Sequence, residues 1–228
     1  MSLPSGSFGL ARPTRQMLGD EVYESLKALI MNHVIAPGAR MNIDALTREL
    51  GTSSTPVREA LARLESDGLV TKFALRGYST TPLLNRRSFE ELYELRLLLE
   101  PWAARHAAEA VDESGAERLE AELATVVEAP DSTGFEIYQH FLAHDARLHD
   151  LIMELAGNET TRRTFGRLHA HLHLIRLNYG KEQGSHAVDE HRALVDAIIA
   201  RDADGAEAAM RAHLSSARDR LRGAVPEE

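Results

Sequence analysis

The chain has 228 residues with a formal net charge of −9, and 43% of its residues are hydrophobic. This length allows one large or two modest domains. Cysteine is absent, which excludes disulfides and thiolate metal sites. The apolar runs fall far short of the roughly 20 residues of a membrane-spanning helix. Residues 1–15 lack the apolar core of a signal peptide and are predicted to form a flexible arm, so a cytoplasmic location is expected.

The acidic charge is concentrated in the second part of the sequence. Residues 1–87 hold 11 Lys+Arg against 8 Asp+Glu, whereas residues 88–228 hold 15 against 27. Phosphate contacts need local positive charge and not a basic protein as a whole. The split therefore predicts a nucleic-acid-binding module joined to a module that does not bind nucleic acid.

Residues 16–83 have the pattern of a winged helix-turn-helix. Apolar residues at helical spacing predict a first helix over 16–34, and a second is predicted over 44–50 after the turn "APGAR". A third helix is predicted over 54–66, and the β-prone runs "LVTKF" and "YSTTPL" then form a hairpin. Three helices followed by a hairpin constitute this fold.

Residues 84–88, "LNRRS", are polar and are predicted to be a linker. The remainder, 89–223, contains turn-forming segments between long helical patterns and no convincing strand, which predicts an all-α bundle of about six helices. Gly157 followed by Asn158 indicates a helix end and a new N-cap. The predicted helices cover 87–111, 114–128, 133–155, 159–179, 185–202 and 204–222.

The third helix has the features of a recognition helix. Pro56 suits a first helical turn, and the apolar face is formed by Val57, Leu61 and Leu64. Arg58 faces outward, and its guanidinium is suited to a bidentate contact with guanine. A solvated amphipathic helix with Arg58 paired to a carboxylate remains the alternative.

The segment "LTRELGTSSTPVREALARLESDGLV", followed by "RGYSTTP", resembles the DNA-binding domain of the GntR family of bacterial transcription regulators. The resemblance implies that a set of polar residues contacts DNA. Arg48 on the preceding helix is either a phosphate contact or a solvated charge. Ser54 stands where family members often have a basic residue, which indicates a different operator at that position. The implied contacts are Ser53, Ser54, Thr55, Arg58, Arg76, Gly77 and Tyr78.

Several polar residues of the second half fall on apolar helix faces, where an unpaired charge would be costly. Asp145 and His149 are one turn apart, while His191 and His213 lie on two later helices. Their convergence would give one carboxylate and three imidazoles, a set that suits zinc or nickel. Ordinary hydrogen-bonded histidines are the alternative, and spacing does not choose among the 11 histidines, which include His144 and "HAHLH".

The segments "DARLHDLIMELAGN" and "EHRALVDAIIARDADGAEAAMRAHL" are similar to the FCD effector domain of the FadR subgroup of the same family. The pattern D-x-x-x-H, then E-H, then a last histidine maps onto Asp145, His149, His191 and His213. The resemblance implies a divalent-metal site in an effector-binding and dimerisation domain.

Arg96 lies on an apolar face of the first bundle helix. It is predicted to clamp a carboxylate of the effector, and Arg176 is a second candidate. An ion pair with Glu100 one turn later is the alternative for Arg96.

Three functions are consistent with the sequence. The first is a homodimeric transcription regulator that binds a palindromic operator and responds to a small organic acid at the metal site. In the second, the metal itself is the signal. The third, a metalloenzyme, is disfavoured because no general base or nucleophile motif accompanies the predicted ligands, so no enzymatic activity is expected.

Overall fold

The computed structural model describes residues 15–126, 135–177 and 184–226. The chain divides into two compact units, residues 1–82 and 83–228. The predicted flexible arm lies almost entirely outside the described residues. No helix within the described ranges combines the length and the apolar character that crossing a membrane requires.

The first unit is a winged helix-turn-helix, as the sequence predicted. The strands form an antiparallel sheet in the order β1-β3-β2. The sequence missed β1, which is only two residues long and is held by Thr80, whose backbone and side chain bind the Ala36–Ala39 turn. The elements are α1 (Arg15–Met31), β1 (Arg40–Met41), α2 (Ile43–Glu49), α3 (Ser54–Ser66), β2 (Val70–Phe73) and β3 (Gly77–Thr80).

The core of the first unit forms between α1 and α3. Val57, Leu61 and Leu64 are fully buried, as their spacing on α3 predicted, and they share this core with Leu26 and Ile30 of α1. Burial of large aliphatic side chains contributes about 1.5–3 kcal/mol each. The apolar face of α3 is thereby fixed inward, so the opposite face is directed to solvent.

The second unit is an all-helical bundle. The expected single helix over 159–179 is wrong, because His169 adopts the left-handed conformation with φ of 47° and separates two short helices. This break allows both Phe165 and Leu174 to be buried. The helices are α4 (Arg86–Ala110), α5 (Glu113–Ala124), α6 (Phe135–Leu155), α7 (Glu159–Gly166), α8 (Ala170–Ile175), α9 (Gly184–Ile199) and α10 (Ala203–Leu221), followed by a 3-10 turn at Arg222–Ala224.

The predicted boundary between α6 and α7 has the expected chemistry. Gly157 has a φ of +74°, a conformation that glycine adopts without strain, and the Asn158 side chain accepts a hydrogen bond from Thr161 N. The bundle core contains small residues of α4, which allow close helix approach, and branched residues of α6 and α9. Its buried members include Ala103, Ala104, Ala107, Ala108, Leu148, Ile152, Leu194, Val195 and Ile198.

Candidate metal centre and nucleic-acid interface

The N-terminal end of α3 presents the predicted DNA-reading residues. Ser53 is the N-cap, and its side chain makes no capping hydrogen bond. Ser53, Ser54 and Arg58 are exposed, and Thr55 is half-buried. Arg48 of α2 is also exposed, with its Nε donating to the Asp44 carbonyl at 3.3 Å. These polar groups are therefore accessible at the end of the helix that a helix-turn-helix inserts into the major groove.

The wing presents Arg76 and Gly77 at its turn. Both are exposed, and Gly77 has a φ of +82°. Arg40 of β1 donates from Nε and Nη2 to the Arg76 carbonyl at 3.2 and 2.9 Å, which holds the tip against the sheet. The Tyr78 side chain is buried, with the Lys72 ammonium over its ring. Tyr78 therefore packs the wing, which speaks against a DNA contact by its side chain.

The four predicted metal ligands lie together inside the second unit. Asp145 and His149 are on α6, His191 is on α9 and His213 is on α10. One potential ligand atom from each residue lies within 4.8 Å of the others. The three histidines are at most 3% exposed, and the Asp145 side chain is 17% exposed. The tertiary fold thus joins residues that are up to 68 positions apart in the sequence.

Each of these histidines uses its Nδ1 atom for a contact outside the group of four. His149 Nδ1 faces Glu100 Oε2 in a short hydrogen bond, and His213 Nδ1 lies 2.8 Å from Glu190 Oε2. His191 Nδ1 lies 3.1 Å from Nε2 of His144. An ionised carboxylate only accepts hydrogen bonds, so the neutral rings of His149 and His213 carry their proton on Nδ1. The Nε2 atom of each ring then carries the lone pair that is available to a metal ion.

The Nε2 atoms facing Asp145 lack hydrogen-bond partners among the described residues. Those of His149 and His191 lie 3.7 and 3.3 Å from Asp145 Oδ1, yet both are buried and without a hydrogen bond. Lone pairs that face a carboxylate oxygen in a dry interior repel it unless a cation lies between them. The donor set therefore fits a divalent cation, because metal-bound histidines characteristically have their second nitrogen oriented by a carboxylate or similar group.

The protonation states also suit metal binding. Burial lowers the pKa of His149 to about 3 against the pull of Glu100, and burial likewise lowers the pKa of His213. Burial alone would raise the pKa of Asp145, but its contacts with His171 and the neighbouring imidazoles hold that pKa well below its ordinary value. At neutral pH His149 and His213 are therefore neutral imidazoles and Asp145 is an ionised carboxylate, which are the states that bind metal.

Sequence reasoning missed the residues around this group. His171 Nδ1 lies 2.7 Å from Asp145 Oδ2, which directs the other oxygen, Oδ1, toward the histidines. Glu190 accepts from His213 and also receives Arg220 at 2.6 and 2.8 Å. Glu190 directly precedes His191 in the "EH" pair, a signal that was available in the sequence. His171 lies after the left-handed break at His169, and helical spacing did not predict that break.

Arg96 and Glu100 form the ion pair that remained an alternative from the sequence. Arg96 Nε lies 2.5 Å from Glu100 Oε1, and both side chains are at least 98% buried. Burial would raise the pKa of Glu100, but the charge of Arg96 and the contact with His149 hold it far below its ordinary value. Glu100 therefore links Arg96 to the imidazole of His149.

A cavity of about 40 Å³ lies beside the group of four. It has room for about three water-sized groups. Arg176, the second predicted effector residue, is buried, where burial lowers its pKa, and it is not among the residues that line this cavity. Arg220, which the sequence did not single out, does line it. The polar lining consists of Tyr93, Arg96, Asp145, His171, His213 and Arg220.

Comparison with known proteins gives the family of both units. The family described as "Bacterial regulatory proteins, gntR family" matches residues 18–78, and the FCD domain matches residues 91–216. The uncharacterized HTH-type transcriptional regulator YdhC of Bacillus subtilis is 28% identical over 222 residues, covering 96% of this chain and 97% of that protein. A second HTH-type transcriptional regulator, from an unstable DNA locus of Streptomyces ambofaciens, is 30% identical over 219 residues, covering 91% of this chain and 87% of that protein.

The fold is also shared with solved structures. The Escherichia coli protein McbR/YncC superposes with a TM-score of 0.69 at 22% identity, covering 90% of this chain and 96% of that one. The matched families and relatives are transcription regulators and not enzymes, in agreement with the sequence. The chain is a DNA-binding transcription regulator and belongs to the gntR family of bacterial regulatory proteins, with an FCD domain as its second unit.

Proposed function

We propose that this regulator acts as a homodimer on a palindromic operator and is controlled by a small organic acid. The acid binds in the FCD domain beside a divalent ion, zinc or nickel, held by Asp145, His149, His191 and His213. The observation that supports this proposal is the convergence of three histidine nitrogens and one carboxylate oxygen next to a cavity lined by two arginines. A dimer would place two recognition helices on the two halves of a two-fold symmetric site.

The DNA contacts of the proposal follow from exposure. Arg58 reads a base and Arg48 contacts a phosphate, while the wing contributes Arg76 and Gly77. Ser53, Ser54 and Thr55 contribute polar contacts at the start of α3. These residues lie on accessible parts of a unit whose local charge balance is positive.

The cavity favours a carboxylate as the effector. Three imidazoles and one carboxylate supply four ligands, so a six-coordinate nickel ion keeps positions open for an oxygen ligand, whereas zinc would have to expand beyond four-coordination to accept one. Arg96 and Arg220 contribute positive charge at the cavity wall, and a guanidinium pairs well with a carboxylate. Both arginines already bind glutamates, Glu100 and Glu190, so the effector competes with an internal carboxylate for each.

The same glutamates couple binding of the effector to the contacts between helices of the bundle. Glu190 of α9 holds both Arg220 and His213 of α10, and Glu100 of α4 holds His149 of α6. A ligand that draws Arg220 away from Glu190 changes the contact between α9 and α10. Regulation requires that the effector bind the DNA-competent and incompetent arrangements with unequal affinity.

The alternative in which the metal itself is the signal needs no organic ligand. The cavity beside the ligand group favours the organic acid, because a site that binds only a metal ion does not require a cavity next to its ligands. The two are separated by DNA binding at saturating metal. In a metal sensor, metal alone changes operator affinity, whereas in the proposed regulator the change requires a carboxylate.

The test begins with metal content. Protein purified without a metal-affinity column or chelator is measured by elemental mass spectrometry beside the His191→Ala/His213→Ala variant. We expect about one ion per chain in the wild type and loss in the variant. A metal-free protein that also takes up no zinc or nickel on reconstitution would refute the site.

The experiment that tests the effector uses the metal-loaded protein. A panel of small carboxylic acids and matched amides is screened by thermal shift, and positive compounds are tested for a change in operator affinity. Arg220→Gln should weaken the response to the acid, and because it also removes the ion pair with Glu190, it should shift operator affinity without the acid toward that of the acid-bound protein. An equal response to acids and amides would count against carboxylate recognition.

A further inference from the structure

A continuous chain of contacts leads from the surface of the FCD domain to one of the proposed ligands. Glu122 of α5 lies at one end, and its carboxylate Oε1 is 3.0 Å from His144 Nδ1. The same Nδ1 is 3.1 Å from the backbone carbonyl oxygen of Glu122. On the other side of the ring, His144 Nε2 is 3.1 Å from His191 Nδ1. The chain therefore joins α5, α6 and α9 at consecutive hydrogen-bond distances.

The acceptors at the outer end fix the positions of the protons. A carbonyl oxygen and a carboxylate both only accept, so Nδ1 of His144 carries the proton. In the neutral ring Nε2 is then an acceptor, and it requires a proton on Nδ1 of His191. The Nε2 lone pair of His191 is consequently free to face Asp145 Oδ1, which lies 3.3 Å away.

The three proposed imidazole ligands are not supported alike. His149 and His213 donate directly to the carboxylates of Glu100 and Glu190. His191 reaches a carboxylate only through a second imidazole. His144 is fully buried, so its contacts with Glu122 and His191 are interior hydrogen bonds and not the solvation of a surface charge.

We propose that Glu122 and His144 are positioning residues of the metal site, which act through His191 by holding it in the Nδ1–H tautomer with Nε2 directed to the ion. This inference rests on the metal site proposed above and names residues outside its ligand set. These two residues, which we call the relay, supply to His191 the orienting contact that a single glutamate supplies to each of the other two histidines.

The surroundings hold the relay in place. Arg147 donates to Glu122 from Nε and Nη2 at 2.9–3.1 Å, and its Nη2 also lies 3.3 Å from Thr125 Oγ1. The Phe141 ring stacks on His191 with a centroid distance of 5.9 Å and an interplanar angle of 6°. The hydrogen bond to His144 fixes the tautomer of His191, while the stacked ring restricts its plane.

The test compares two substitutions at the middle of the relay. His144→Leu removes the acceptor for His191, whereas His144→Gln offers an amide oxygen in its place. Zinc affinity is measured by competition with a chromophoric chelator, and circular dichroism verifies the fold. We expect His144→Leu to raise the zinc dissociation constant roughly tenfold to a hundredfold, as loss of an orienting contact does. His144→Gln should remain close to the wild type.

A spectroscopic measurement separates positioning from general packing. Long-range ¹H–¹⁵N spectra of the histidine rings are recorded on the metal-free protein, with His191 assigned from the missing signals of His191→Ala. The wild type and His144→Gln should show His191 with its proton on Nδ1. His144→Leu should show a mixture or the Nε2–H tautomer.

Each outcome bears on the proposal. Unchanged affinity and tautomer in a folded His144→Leu, with metal lost in His191→Ala, would overturn the relay and leave the metal site standing. Undiminished zinc binding in His191→Ala would instead refute the metal site itself. If His144→Leu does not fold, the wild-type spectrum decides, because an Nε2–H tautomer of His191 overturns the relay.

Discussion

Acidification should destabilise the metal-free FCD domain well above the pH at which its carboxylates titrate. Burial lowers the pKa of His149 to about 3 in the folded chain, whereas the unfolded chain has the ordinary value of 6.5. Below pH 6.5 the unfolded state therefore binds a proton that the folded state excludes. Stability is fully present above the unfolded pKa and is lost as the pH falls toward the folded one.

The size of this effect follows from the two pKa values. At pH 5 the unfolded imidazole is almost fully protonated and the folded one is almost fully neutral, which amounts to about 2 kcal/mol for His149. His144 and His213 add to the loss, because burial lowers their pKa as well. The choice of pH 5 leaves Glu100 and Asp145 ionised in the fold, since the pKa of each is held below its ordinary value.

The assay is urea unfolding with a chelator present, at pH 7.5 and at pH 5. Trp102 is the only tryptophan in the chain and packs against the bundle core, so its fluorescence follows the second unit. His149→Gln serves as the matched variant. Its free energy of unfolding should fall less between the two pH values than that of the wild type, by about 2 kcal/mol. Equal losses in both proteins would refute a neutral, buried His149.

Arg58→Ala should abolish the specific operator footprint, because it removes an exposed guanidinium suited to a base contact. The control is Arg167→Ala, which removes the same charge at an exposed position of the second unit and should preserve the footprint. A footprint retained by Arg58→Ala would contradict the assigned recognition face. Arg96→Ala should lower the free energy of unfolding by about 3–5 kcal/mol, because Glu100 would remain buried without its cation, and Arg96→Ala/Glu100→Ala should recover part of that loss. Urea titrations measure both, and a double variant no more stable than the single one would argue against the ion pair. Zinc at 100 times its dissociation constant should stabilise the wild type by about 2.7 kcal/mol. The same zinc concentration should stabilise Asp145→Asn less. Thermal melting measures both, and equal shifts in melting temperature would exclude Asp145 from the site.

The first unit was largely predictable because its signals are local. The spacing of Val57, Leu61 and Leu64 defines one face of a helix, and a helix of 13 residues cannot bury that face without exposing Arg58 on the other. The missed strand β1 has no local signal, since two residues pair only where β3 offers an edge. The sequence also did not predict the burial of Tyr78, because alternation along a strand does not indicate which face of the sheet is covered.

The second unit could be predicted to be an all-α bundle from its helical patterns. Its ligand set was predicted from the resemblance to FCD domains, which rests on widely spaced residues. Helical periodicity alone did not distinguish His149 from His144, because both lie on α6 and both are buried. The fold separates them: His149 directs Nε2 toward Asp145, whereas His144 directs Nε2 toward another imidazole.

The sequence by itself determined the two-module organisation and the helix-turn-helix, while the four residues that converge were expected from the resemblance to FCD domains. Local periodicity and residue chemistry are sufficient for the modules and their helices, because these depend on neighbours within a few turns. Only the tertiary structure decided which nitrogen of each histidine is available, that Glu100 holds both Arg96 and His149, and that Arg220 rather than Arg176 borders the cavity. Those facts depend on contacts between helices distant in sequence, and the left-handed turn at His169 that brings His171 to Asp145 has no counterpart in helical spacing.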